Sequence, residues 1–92
     1  QDRPLLKALG CGIYWQQLID NGTVASGTEI AERECIHRST VNDLLRLALL
    51  APDIIQAAYE GRLPRAVSLE AILRAKVPLD WNEQRRLIAS LG

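Results

Sequence analysis

Residues 28–50 read TEIAERECIHRSTVNDLLRLALL, and this stretch decides the fold. It holds a short helical segment, a three-residue interruption and a longer helical segment. Just ahead of it, Ser26 and Glu29 form an S-x-x-E box. In such a box the hydroxyl accepts from a free backbone N–H and the carboxylate reaches back to the cap. A helix is therefore expected over about residues 27–34. Cys35, Ile36 and His37 make the turn. A second helix is expected over about residues 38–50, stopping before Pro52 because the residue preceding proline is pushed out of helical conformation.

Two helices crossing steeply over a tight turn need certain residue types at set offsets. Ala31 is the small residue where the second helix crosses the first, and Ile30 precedes it. Ile36 is the turn residue expected to tuck inward. Val41, Leu44, Leu45 and Ala48 give the second helix an apolar stripe at i, i+3, i+4 and i+7. The spacing predicts a helix-turn-helix over about residues 27–50. Two positions depart from the pattern. Cys35 stands where glycine would ease a positive φ, and His37 stands where Asp, Asn or Ser would cap better.

With that stripe facing inward, Ser39, Asp43 and Arg46 point away from the core, flanked by Thr40 and Asn42. In a helix-turn-helix the N-terminal part of the second helix enters the major groove. Asn42 suits a bidentate pair with adenine, Ser39 and Thr40 suit a base or a phosphate, and Arg38 and Arg46 suit phosphate or guanine. Asp43 repels phosphate. Its uses there are to accept from a cytosine amino group or to hold an arginine. Any one of these residues on a helix is more often simply solvated, so the set carries the reading and no member does.

The same punctuation extends through the rest of the chain. Pro4 opens a first helix running to about Asp20, with Leu5, Leu6, Leu9, Ile13 and Leu18 at roughly helical spacing. Gly10 and Gly12 weaken it, each by up to about 1 kcal/mol relative to Ala. Asn21-Gly22 stops it. Pro52 starts another helix at its first position and Gly61 ends it. Ser68 caps the next, which Pro78 terminates. Asp80 and Glu83 form a second box for a last helix ending at Gly92. No segment alternates apolar and polar residues. The expected fold is all-α, a small bundle of about six helices in one domain spanning residues 1–92.

Composition agrees with this. Of the 92 residues 48% are apolar, supplied almost wholly by Leu, Ile, Val and Ala, with no Phe and no Met. Leu- and Ala-rich chains favour helix. Trp15 and Trp81 are expected in core or inter-helix packing. With no Met in the sequence, a piece of a longer protein is expected, with processing of a short chain as the alternative. No apolar run is long enough for a membrane span, and nothing at the start resembles a signal peptide. Cys11 and Cys35, far apart among apolar neighbours, are expected to be reduced, mostly buried thiols. No zinc spacing is present, and the single His37 is a turn residue and not a metal ligand. No nucleophile with a paired base and no glycine-rich phosphate loop is present, so neither an enzyme, a cofactor nor a small-molecule substrate is expected.

The formal net charge is zero, whereas DNA-binding domains usually carry a basic excess. Residues 28–50 set Arg33, Arg38 and Arg46 against Glu29, Glu32, Glu34 and Asp43, a net of −1. Residues 62–76 set Arg62, Arg65, Arg74 and Lys76 against Glu70, a net of +3. The basic patch follows the motif, and its four cations are candidate phosphate contacts.

The stretch Glu29-Ile30-Ala31, with Ile36, Ser39-Thr40-Val41, Leu44-Leu45-Arg46-Leu47, Leu50-Ala51-Pro52-Asp53-Ile54-Ile55, Gly61-Arg62-Leu63 and Ser68-Leu69-Glu70, resembles ParB/KorB-type partition proteins. A wider pattern is similar to a region near the C-terminus of some bacterial serine recombinases. It includes Leu5-Leu6-Lys7-Ala8-Leu9, Tyr14-Trp15, Ala25-Ser26, Pro78-Leu79-Asp80-Trp81 and Glu83-Gln84-Arg85-Arg86. The resemblance implies a sequence-reading accessory domain attached to a catalytic domain elsewhere in the parent protein. It implies double-stranded DNA as partner, with contacts from Arg38, Ser39, Thr40, Asn42 and Asp43, in the cytoplasm on the nucleoid. Asp43 departs from the basic or neutral residue usual at its position. The motif commonly acts as a homodimer on a palindrome. A second reading stays open, a protein docking module built on the same scaffold, favoured by zero net charge and outward-leaning Leu47 and Leu50. Those two leucines are instead expected to pack under the helix at 52–60.

Overall fold

The computed structural model describes residues 3–92. It contains six helices and no strand among the described residues: α1 (Arg3–Asp20), α2 (Gly27–Glu34), α3 (Arg38–Leu47), α4 (Pro52–Tyr59), α5 (Leu69–Ala75) and α6 (Trp81–Leu91). The all-α architecture is as the sequence predicts. The chain divides into two compact units. One is Ala8–Ala48; the other takes the chain up to Lys7 together with Leu49–Gly92. No helix of the described residues is long and apolar enough to cross a membrane.

In the unit Ala8–Ala48, α1 ends as its sequence demands. Gly22 adopts φ 81°, a conformation that costs glycine little. The Gly22 N–H donates to Ile19 O at 3.1 Å and the Val24 N–H to Leu18 O at 3.2 Å, so the last carbonyls of the helix find donors. Asn21 Oδ1 accepts from the Thr23 N–H at 3.0 Å and from its hydroxyl at 2.6 Å. Trp15, Val24, Ile30, Ala31 and Val41 form the buried cluster, with Cys11, Leu18, Ile19, Leu44 and Leu45 packed against it. Gly12 explains its own place in the helix. A Cβ there would overlap the Leu44 carbonyl oxygen and lie 2.9 Å from its carbon. Glycine is required where α1 meets the backbone of α3.

In the other unit Leu5, Leu50, Ala51, Ile54, Ala58, Val67, Ile72 and Ile88 are buried. Gln84 is the buried polar residue among them, 1% exposed. Its Oε1 accepts from the Ala51 N–H at 2.8 Å, and its Nε2 donates to Leu49 O at 3.2 Å and Pro78 O at 2.9 Å. All the hydrogen-bonding capacity of the carboxamide except one lone pair is thereby used. The Trp81 indole N–H also donates to Leu49 O, at 3.3 Å. Gly61 closes α4 at φ 71°, with the Arg62 N–H donating to Ala57 O at 2.8 Å. Ser68 caps α5 through its Oγ, which accepts from the Ala71 N–H at 3.1 Å.

Several local expectations change. The helix expected over about residues 38–50 stops at Leu47. The Ala48 N–H turns to Leu45 O at 3.1 Å, a tighter i→i+3 bond that ends many helices. Ala51 is extended at φ −57°, ψ 141°, as a residue before proline must be. Leu47 and Leu50 are buried, so neither leans outward. Leu49 is the exposed leucine of that segment. Trp81 stays 48% exposed and is anchored by its indole N–H rather than by enclosure, whereas Trp15 is core. The box at Ser26 is offset by one residue. Glu29 Oε2 accepts from the Ala25 N–H at 2.9 Å and not from the cap itself. At α6 the Asp80 carboxylate caps Asn82 N, but Glu83 turns outward to pair with Arg86 at 3.4 Å.

Candidate nucleic-acid interface

The candidate site is the exposed face of α3 in the unit Ala8–Ala48. The connection from α2 is short and its geometry is strained at one residue. Cys35 is the C-cap of α2 at φ 57°, ψ 43°, left-handed backbone that a side chain with a Cβ occupies at a cost. The sequence expects a glycine-like conformation here, and cysteine adopts it. The Ile36 N–H donates to Ala31 O at 3.1 Å, tying the turn to the small residue of α2. Ile36 itself is not tucked inward. It is 39% exposed, because the backbone bond fixes the turn while the side chain stays at the surface. Cys35 is likewise exposed and Cys11 half-buried, both as free thiols, so the expectation of two mostly buried cysteines fails at Cys35.

The α3 side of the junction is tight. A Cβ on Gly27 would lie 3.2 Å from Leu45 Cδ1 and 3.4 Å from Val41 Cγ1. Val41 is buried, and Leu44 and Leu45 are half-buried, which turns this side of α3 into the unit. At roughly 100° per residue the opposite side then carries Ser39, Asp43 and Arg46, flanked by Asn42, while Arg38 lies in line with Val41 and Leu45 at the N-terminal end of α3; all five polar residues are exposed. Thr40 is exposed at its edge. The six residues singled out from the sequence are thus all exposed, with Ser39, Asp43 and Arg46 alone forming the stripe opposite the buried side. Asn42 leans back, its Oδ1 lying 3.4 Å from where a Gly27 Cβ would be.

Arg33 pairs with Glu29 at 3.8 Å, Arg62 with Glu60, Arg74 with Glu70, Arg85 with Asp53 at 2.8 Å and Arg86 with Glu83 at 3.4 Å. On α3, neither Arg38, Asp43 nor Arg46 takes part in an ion pair among the described residues. The expectation that Asp43 holds an arginine therefore finds no partner among the described residues. His37 makes no side-chain cap at the α3 N-terminus, so the first N–H groups of the helix have no side-chain acceptor. That end carries the positive pole of the helix dipole.

The four later cations fall into two pairs. Arg62 and Arg74 are neutralised by Glu60 and Glu70. Arg65 and Lys76 are exposed and outside any ion pair among the described residues. The i,i+4 spacing of Glu70 and Arg74 announces their pairing in the sequence. The Glu60–Arg62 pair has no such signal, because it forms where Gly61 reverses the chain. Residues 8–48 set Arg33, Arg38 and Arg46 against Asp20, Glu29, Glu32, Glu34 and Asp43, a net of −2. The remaining residues carry the matching net of +2. No group of three or more His, Cys, Asp or Glu positioned to hold a metal occurs among the described residues.

No protein-family model, curated protein or solved structure matches this chain.

Proposed function

We propose that α2, the turn and α3 form a helix-turn-helix that binds duplex DNA, with the exposed face of α3 in the major groove. One observation carries this reading. Ser39, Asp43 and Arg46 form one exposed stripe on α3 with Thr40 and Asn42 beside it and exposed Arg38 at the N-terminal end of the helix, and Arg38, Asp43 and Arg46 make no ion pair among the described residues. Arginines left without internal acceptors are available to phosphate or guanine. The uncapped α3 N-terminus supports the same orientation, since free backbone N–H groups and the helix dipole attract phosphate. Arg65 and Lys76 are the favoured additional phosphate contacts. The resemblance to ParB/KorB-type proteins and to the C-terminal region of serine recombinases supports an accessory, sequence-reading role beside a catalytic domain, on the nucleoid.

The test is equilibrium binding of a fluorescent random-sequence duplex at about 50 mM and about 200 mM salt. Binding that weakens linearly on a log–log salt plot, and weakens further in the Arg38→Ala/Arg46→Ala double variant, supports the reading. Absence of binding at the lower salt, with the protein folded, rejects it.

A second reading, a docking or oligomerisation module, draws on a different observation. Leu49, Leu79 and Trp81 are large apolar side chains left exposed in the unit that contains α6. Sedimentation equilibrium that shows self-association without DNA affinity would favour it.

A further inference from the structure

We infer that Asp43 reads a cytosine, so that the DNA site contains a C·G pair whose cytosine amino group faces this carboxylate. The inference rests on the DNA-binding reading above and names the base it selects.

Ser39, Asp43 and Arg46 follow one another at i, i+4 and i+7, which sets them in a single stripe along α3. With a rise of about 1.5 Å per residue, Asp43 stands about 6 Å from Ser39 along the axis and about 4.5 Å from Arg46. All three are exposed. Asp43 thus lies in the middle of the stripe and not at its rim. Arg46, three residues on, forms no ion pair with it, and no other cation of the described residues does. A carboxylate in this position costs phosphate affinity by repulsion, so in a DNA complex it needs a donor.

The groove offers few. An ionised carboxylate only accepts hydrogen bonds. Guanine shows N7 and O6, both acceptors, and thymine shows O4, an acceptor, beside a methyl group. These repel or exclude Asp43. Adenine offers its N6 amino group, but the N7 lone pair beside it faces the second carboxylate oxygen. Cytosine offers its N4 amino group with only a C–H next to it. Cytosine is therefore the base that satisfies the carboxylate without an opposing acceptor. Its partner guanine presents O6 and N7 to the groove, within the chemistry of Arg46, so one C·G pair suits both charges. Asn42 does not compete for this role, since its carboxamide leans towards Gly27.

The experiment is selection from a randomised duplex pool with the wild type and with Asp43→Ala and Asp43→Asn. Asp43 is exposed and has no ion-pair partner among the described residues, so both variants should keep the helical circular dichroism of the wild type. The expected result is one strongly selected cytosine with the wild type. Asp43→Ala levels that position and leaves the others selected. Asp43→Asn admits adenine there, because a carboxamide both donates and accepts. In the selected duplex, N4-methylcytosine at that position replaces the groove-facing hydrogen and should weaken wild-type binding by roughly tenfold. It should leave Asp43→Ala unaffected. A selected site without such a cytosine overturns the inference while the DNA reading stands. So does a cytosine that survives Asp43→Ala, or an Asp43→Ala variant that binds every sequence more tightly and equally so. Failure of wild type and variants alike to retain any duplex overturns the DNA reading and this inference with it.

Discussion

The Gln84 side chain accepts a hydrogen bond from the Ala51 N–H at 2.8 Å, across 33 residues of sequence. Ala51 precedes Pro52, and its backbone is extended. Its N–H has no helical acceptor there, and Ala51 is fully buried. An unpaired donor in that setting would cost free energy comparable to a lost hydrogen bond. Gln84 removes the problem and, through Leu49 O and Pro78 O, ties the start of α4 and the approach to α6 to one carboxamide.

Gln84→Leu should therefore destabilise the protein by about 2–4 kcal/mol despite its similar size, because it leaves buried groups unsatisfied. Gln84→Glu should also destabilise at neutral pH, since an ionised carboxylate cannot donate to Leu49 O and Pro78 O. Burial raises the pKa of such a carboxyl in the folded state, so this variant should regain stability as pH falls towards its unfolded value. Urea unfolding at pH 7 and pH 5 measures both effects.

Gly12→Ala reverses the sign expected from helix propensity. Propensity alone predicts a gain of about 1 kcal/mol inside α1. The added Cβ would overlap the Leu44 carbonyl oxygen, a backbone atom that cannot rotate away. The expected outcome is a loss of about 1–3 kcal/mol or more, as for other overpacked sites. Thermal unfolding of the variant decides between the two signs.

Cys35→Gly should stabilise the protein by about 1 kcal/mol, because Cys35 holds φ 57° with a Cβ that glycine lacks. The two thiols should also differ towards an alkylating reagent. Cys35 is exposed, whereas burial, and secondarily the negative charge of Glu34, pushes the Cys11 thiol pKa up. A raised pKa lowers the reactive thiolate fraction. Mass spectrometry of a time course with iodoacetamide should show single alkylation at Cys35 well before Cys11.

Acid should weaken the unit containing α4 and α6. The Arg85 guanidinium donates to both Asp53 carboxylate oxygens, at 2.8 and 3.1 Å, and holds Asp53 below the usual aspartate range. Arg62 and then Gln56 do the same for Glu60. A folded-state pKa below the unfolded one contributes stability that is present above the unfolded value and lost as pH falls through the folded value. The loss is expected below about pH 4, near the unperturbed values. Asp53→Asn should flatten the stability profile there, and Asp53→Asn/Glu60→Gln should flatten it more.

The four later cations should separate in DNA binding. Arg65→Ala and Lys76→Ala should each reduce the salt slope by about 1, the signature of one lost phosphate contact. Arg62→Ala and Arg74→Ala should change it less, because Glu60 and Glu70 already hold those side chains. Binding titrations from about 50 to 300 mM salt separate these outcomes.

The residues that punctuate the chain determined the helices by themselves. Asn21-Gly22, Pro52, Gly61 and Ser68 act on their own backbone within a few residues, and each starts or stops a helix where local chemistry requires. The polar face of α3 was equally legible, because Val41, Leu44 and Leu45 repeat at the helical period and leave Ser39, Asp43 and Arg46 opposite, with Thr40 and Asn42 on the flanks. Tertiary structure decided what no local window contains. The helix expected to reach residue 50 ends at Leu47, and the segment beyond it is held by Gln84 and Trp81, more than thirty residues away. Gln84 sits on a polar-looking stretch of α6, and only the distant Ala51 N–H makes its burial favourable. Gly12 looks like a weak point of α1 until the Leu44 carbonyl arrives beside it. Which cations are neutralised is also a matter of geometry, since Glu60 meets Arg62 only across the turn at Gly61. Periodicity and capping are properties of neighbours in sequence. Burial, close approach and charge pairing are properties of neighbours in space.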